Sequence, residues 1–150
     1  MIPIVAYNYG ARKHGRIDEA IKWTLIDSTF IYLVFFIGLE CVPGFVLQIF
    51  DASDYMMTIG ISALRILAVA YFVSIPNLVF AAALQGLSLG TKSMYLTVTR
   101  QAILPVVFAL ILRMFGRIDF IWCAFILAEL AGIPFAIYLW KKSCNNLNKE

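Results

Sequence analysis

Two glutamates and two arginines stand inside long apolar stretches of this chain: Glu40, Arg65, Arg100 and Glu129. Charged groups in such surroundings either pair to clamp neighbouring segments or serve a charge-moving task, in which a carboxyl group takes up a proton. An arginine beside a carboxylate favours its ionised form, which suits a clamp better than a proton carrier. Neutral polar side chains form a second set. At about 100° per residue, Tyr71, Ser74, Asn77, Gln85 and Ser88 fall within an arc of about 120° on one helical face, with Arg65 pointing away from it. A polar face of this kind either hydrogen-bonds to other helices or lines a watery path. Pro76 beside it favours the path, because broken helices line transporter binding sites. Tyr71, Ser74, Asn77 and Gln85 are therefore the candidate pathway residues. Enzyme chemistry has no such support. The one histidine, His14, sits in a basic stretch, and the sequence holds no glycine-rich phosphate loop, zinc signature or nucleophile elbow. No catalytic or metal-binding residues and no cofactor are expected.

The elements that must position these groups follow from composition. Of 150 residues 62% are apolar and 14% charged, with mean hydropathy +0.86, against an apolar share of about 45–50% in soluble domains. Lipid is the solvent that suits so much apolar surface. Backbone groups in hydrocarbon must be paired within their own segment, so the apolar runs read as helices. Four runs, residues 23–49, 56–89, 95–115 and 118–140, each reach the roughly 20 residues that a crossing needs. Residues 1–10 read as the tail of an earlier crossing. The predicted class is all-α, a polytopic membrane bundle of four transmembrane helices plus the end of a fifth. Its divisions are 1–22 (end of a preceding helix and cytoplasmic loop), 23–142 (the four-helix region) and 143–150 (a fraying cytoplasmic tail). Run 56–89 would be about 51 Å long, more than a hydrocarbon core of about 30 Å, so a bend at Pro76 is expected. Pro105 and Pro134 carry the same expectation.

Charge asymmetry sets orientation. The side holding both ends and the 89–95 joint carries Arg12, Lys13, Arg16, Lys22, Lys92, Lys141, Lys142 and Lys149, whereas the other carries only Arg113 and Arg117, with Asp51 and Asp54. The positive-inside rule then places both ends in the cytoplasm of a multi-pass protein of the cell membrane. The net charge of +3 thus reports topology and gives little weight to a nucleic-acid partner. Depth along the helices pairs the charges. Glu40 and Arg65 each lie about 13 Å below the outer face, and Arg100 and Glu129 about 12 and 16 Å from the inner one, within the reach of an extended arginine. Cys41, Cys123 and Cys144 stand too far apart in sequence for a metal or disulfide framework and read as buried thiols.

The segment containing Pro3, Tyr7, Asn8, Tyr9, Gly10 and Ala11, followed by Arg12 and Arg16, resembles the signature that opens the second half of the C-terminal lobe in the multidrug and toxic compound extrusion (MATE) family. Phe50-Asp51, Leu64-Arg65-Ile66, Arg100 with Pro105, and Ala128-Glu129 follow in matching order. The resemblance implies twelve helices in two lobes, of which this chain would hold the end of the eighth and helices nine to twelve. It also implies export of small cationic or amphipathic drugs by alternating access, in exchange for protons or sodium ions. The implied partners are the lipid bilayer, the drug and the missing N-terminal lobe, without which the chain would be an inactive fragment. Some branches of the family couple through a carboxylate in the tenth helix, and the run 56–89 has none. Two alternatives stand beside this reading: a lipid-linked oligosaccharide flippase of the same superfamily, and a small membrane scaffold that buries its polar face in an oligomer.

Overall fold

Prolines and caps decide where the helices start and stop. The computed structural model describes residues 1–116 and 118–147, and among these the only regular structure is helical. Pro3 opens α1 (Ile2–Gly10), where its missing N–H is not needed. The helix closes through the Tyr-Asn-Tyr-Gly-Ala segment. Arg12 adopts φ of 55°, its N–H donates to the Tyr9 carbonyl (3.0 Å), and the Lys13 N–H donates to that of Asn8 (2.8 Å), the bond pair of a Schellman close. Asp51 and Ser88, also left-handed, end two later helices with the same pair of bonds.

The loop expected over residues 10–22 is therefore short. Helix α2 (His14–Cys41) begins at His14 instead of Trp23, because the tight close of α1 delivers the chain at once into a new helix. The run expected to continue to residue 49 breaks at Val42. Pro43 has no N–H to give the preceding turn, and it starts a separate short helix, α3 (Pro43–Ile49). After this turn the Ser53 hydroxyl accepts from the Met56 N–H (3.4 Å) and caps α4 (Asp54–Val73), with Asp54 in the first turn, where a negative charge suits the helix dipole. The long second run is two helices. It breaks at Ser74, and α5 (Ile75–Gly86) restarts with Pro76 in its first turn. Next come α6 (Gly90–Val98), a π-helical segment (Thr99–Ile103) and α7 (Leu104–Leu112), with Pro105 opening the last. Gly116, at φ of 71°, turns the chain toward α8 (Ile118–Leu147), which runs as one helix through Pro134.

The spans His14–Cys41, Asp54–Val73, Gly90–Leu112 and Phe120–Asn145 are long and apolar enough to cross a membrane. α8 also extends past the end expected at residue 142. Ser143 is buried, donating to the Leu139 carbonyl (2.7 Å) and accepting from the Lys92 ammonium (3.0 Å), so the first part of the polar tail is folded structure. Arg117 and residues 148–150, which include Lys149, lie outside the described residues.

Packing rests on small residues. α8 lies against α4, α5 and α7 through Ala124, Ala128 and Ala136, all fully buried. Small side chains let helix backbones approach closely where lipid removes the usual hydrophobic drive. α1 joins the bundle through Val5, which is 0% exposed and packs with Ile17, Ile21, Ile75, Val79, Ala83 and Leu87. Opposite it stands Gly86, where an added Cβ would come within 2.6 Å of Val5 Cβ. The apolar surface left outside, such as Phe30 and Phe35 on α2, is what a lipid-facing helix presents.

Candidate functional site

The break at Ser74 is the centre of the site. Proline at the second position of α5 excludes a continuous ladder of backbone bonds. The Ser74 hydroxyl donates instead to the Tyr71 carbonyl (2.7 Å), satisfying an acceptor at the end of α4. The restart turns Asn77 inward, fully buried. Its amide Nδ2 donates to the backbone carbonyl of Glu129 (2.9 Å) and to Glu129 Oε2 (2.7 Å). The other carboxylate oxygen, Oε1, meets Arg100 Nη1 at 2.5 Å. Three helical segments are thus tied at one carboxylate: α5 through Asn77, α8 through Glu129 and the π-helical segment through Arg100.

Local backbone explains why these side chains can meet. Pro105 offers no N–H to the turn before it, and that turn widens into the π-helical segment that carries Arg100 and Gln101. On α8, Gly132 leaves the space in which the network sits. A Cβ there would lie 3.0 Å from Asn77 Nδ2 and 3.3 Å from Arg100 Cβ. The side chains of Arg100 and Glu129 are only 2% and 12% exposed, a depth at which an unpaired charge costs several kcal/mol, roughly 3–5 when one partner is removed. Two buried polar atoms of this network, Asn77 Oδ1 and Arg100 Nε, have no hydrogen-bond partner.

Beside the network lies a cavity of about 390 Å³. Arg100, Gln101 and Glu129 supply its polar wall; Leu67, Tyr71, Pro105 and Phe125 supply the apolar one. Tyr71 also borders a second, apolar cleft of about 340 Å³ between α2 and α4, with Tyr32, Phe35 and Phe36. This is space of the size that small organic ligands occupy, apolar with a few fixed polar groups.

The residues expected on one polar face along 71–88 have different partners. Bonds from the Ser74 N–H to the Ala70 carbonyl and from the Leu78 N–H to the Ser74 carbonyl carry the helical path through the break, and the chain has left α5 at Ser88, which is exposed in the turn. Tyr71 stays exposed at the cavity, Ser74 is consumed by its own backbone, and Asn77 is spent on Glu129. Gln85 donates instead to the Ser93 hydroxyl (3.0 Å), which donates in turn to the Ala81 carbonyl (2.9 Å), linking α5 to α6. Of the four candidate pathway residues, only Tyr71 borders the cavity.

The second pair of charges is of another kind. Arg65 Nε lies 3.6 Å from Glu40 Oε2, with side chains 52% and 33% exposed. Arg65 Nη2 also donates to the Glu40 carbonyl (3.5 Å). That carbonyl belongs to the last turn of α2, where its own helix provides no partner and a positive charge suits the dipole. In the family-like segment, Tyr7 is exposed and the Asn8 amide donates to the Ile4 carbonyl (2.8 Å). Among the described residues no cluster of three or more His, Cys, Asp or Glu side chains could hold a metal ion. Sequence reasoning missed Gly132 and the π-helical turn. A glycine opposite buried polar groups leaves no periodic signal, whereas Pro105 was a usable sign of the turn.

Comparison with known proteins adds the following. Residues 1–111 match the family described as MatE. The multidrug export protein MepA of Staphylococcus aureus (strain N315) is 21% identical over 140 residues, which make up 93% of this chain and 31% of that protein. A solved structure described as protein A superimposes with a TM-score of 0.78 at 27% identity, covering 93% of this chain and 31% of that one. The chain therefore spans under a third of the length of the relatives it matches.

Proposed function

This chain belongs to the MatE family, and from that premise we propose that it supplies four membrane crossings to a cation-coupled multidrug efflux transporter that works by alternating access. The observation that carries the reading is the broken α4–α5 helix, tied by Asn77 to the Arg100–Glu129 pair beside a ligand-sized cavity. Broken helices meeting polar groups at membrane depth are the usual architecture of transporter sites. The export named for MepA supports drugs as cargo, here small cationic or amphipathic ones, and the coupling ion is a proton or sodium. Both ends of the chain face the cytoplasm, in keeping with the excess of Lys and Arg at that end of the bundle.

Alternating access needs two bundles rocking about a shared cavity, so these 150 residues do not export drug by themselves and act with the counterpart of a missing N-terminal lobe. The test is reconstitution. Purified chain in liposomes loaded with a fluorescent drug gives no efflux under an imposed proton or sodium gradient. A chimera that carries the chain in place of the matching part of MepA restores gradient-driven efflux. Robust efflux by the chain alone, or a folded chimera that binds drug yet ignores both gradients, overturns the proposal.

A further inference from the structure

At the basic end of the bundle, away from the cavity just described, lies a second polar hollow of about 250 Å³. Its size is below the roughly 300–1,000 Å³ of a drug site. The start of α2 and the end of α8 face each other across it: His14 and Asp18 stand on one wall, Lys141 and Asn145 on the other. Leu87 and Ile17, both almost fully buried, form an apolar floor, and Trp140 closes the side. Apolar α8 gives way to Lys141 and Lys142 just after Trp140, the sequence of a helix leaving hydrocarbon for the headgroup layer.

The two charges of this hollow are not paired with each other. Asp18 and Lys141 line the same space, yet neither takes part in any ion pair among the described residues. A cation and an anion held apart across a small polar space suit a ligand that itself carries both signs. We propose that this hollow binds the headgroup of a zwitterionic phospholipid bearing a primary ammonium. Lys141 and the His14 ring N–H engage the phosphate, with Arg12, Lys13 and Arg16 close by in sequence adding to the local positive field. Asp18 and the Asn145 carbonyl oxygen accept the N–H groups of the ammonium as charge-assisted hydrogen bonds. A quaternary ammonium has no N–H to donate and would need an aromatic cage, for which Trp140 alone does not suffice. The proposal rests on the membrane setting of the helices and is independent of any transport activity.

Native mass spectrometry of the intact chain tests it, with equal amounts of phosphatidylethanolamine, phosphatidylcholine and phosphatidylglycerol of identical acyl chains. The chain retains the ethanolamine lipid at least about fivefold over the choline lipid, with retention falling stepwise along the N-methylated series. Asp18→Asn brings the ethanolamine lipid down to the choline level and leaves the glycerol lipid unchanged. Lys141→Gln lowers all three. Both residues are exposed, and the wild-type lipid series needs no variant at all. Equal retention of the ethanolamine and choline lipids, a preference for the glycerol lipid, or an unchanged profile in Asp18→Asn overturns the assignment.

Discussion

The two arginine–glutamate pairs of this bundle use the same chemistry for different ends. Arg65 and Glu40 meet at 3.6 Å on a half-exposed flank, and the guanidinium also caps the end of α2. Arg100 and Glu129 are almost fully enclosed, and Asn77 occupies the carboxylate oxygen that Arg100 leaves open. The outer pair stands part-exposed on the flank of the bundle and has only the Glu40 carbonyl as a further contact. The inner pair is enclosed and shares its carboxylate with Asn77. Burial and the third partner, not the identity of the residues, turn a charge pair into a fixed point about which helices are held.

That contrast can be broken most forcefully by removing one charge. Arg100→Leu strands the Glu129 carboxylate and is expected to lower stability by about 3–5 kcal/mol, whereas Arg65→Leu, whose partner is part-exposed on the flank, lowers it by less. Unfolding of the chain in mixed micelles, followed by circular dichroism, measures both. Equal losses would dissolve the distinction. Filling the space behind the network comes next. Gly132→Ala places a Cβ 3.0 Å from Asn77 Nδ2 and is expected to cost about 1–3 kcal/mol, visible in the same unfolding assay. A neutral Gly132→Ala would show that the network has slack. Asn77→Ala, which frees Glu129 Oε2 but keeps the charges paired, should cost about 1–3 kcal/mol and should increase hydrogen exchange at the start of α5 before it does so at α2. Smallest, and opposite in sign, is Asp51→Gly in the turn that closes α3. Asp51 holds φ of 53°, an L-residue penalty that glycine removes, so the variant gains about 1 kcal/mol in a thermal melt.

Much of the architecture was legible because hydrocarbon sets a length. Four apolar runs long enough to cross mark four spanning segments, and simple depth along them brings Arg65 toward Glu40 and Arg100 toward Glu129, which are the contacts present. The partners of the polar residues were not legible. Projecting residues 71–88 onto one helix says nothing of what each side chain meets, and Asn77 bonds Glu129 on α8 while Gln85 bonds Ser93 on α6. The break at Val42 was missed as well, since an apolar run continues through Pro43 although the helix cannot. At the far end the reverse error arose. The polar letters after Trp140 suggest fraying, but Ser143 folds back on Leu139 and receives Lys92, so the helix outlasts its apolar stretch. For Asn77, Gln85 and Ser143 the missing information was a partner on another helix, which no local pattern contains, whereas the break at Val42 had its local sign in Pro43.

The central claim is that the Arg100–Glu129 contact, and not its outer counterpart, fixes the bundle around the cavity. A pair of double-mutant cycles tests it most directly, comparing Arg100→Leu with Glu129→Leu and Arg65→Leu with Glu40→Leu, each with the combined variant, by unfolding in one lipid–detergent mixture. The account predicts a coupling of about 2–3 kcal/mol for the inner pair and a smaller one for the outer. Couplings of equal size, or a larger one for Arg65 and Glu40, would contradict it.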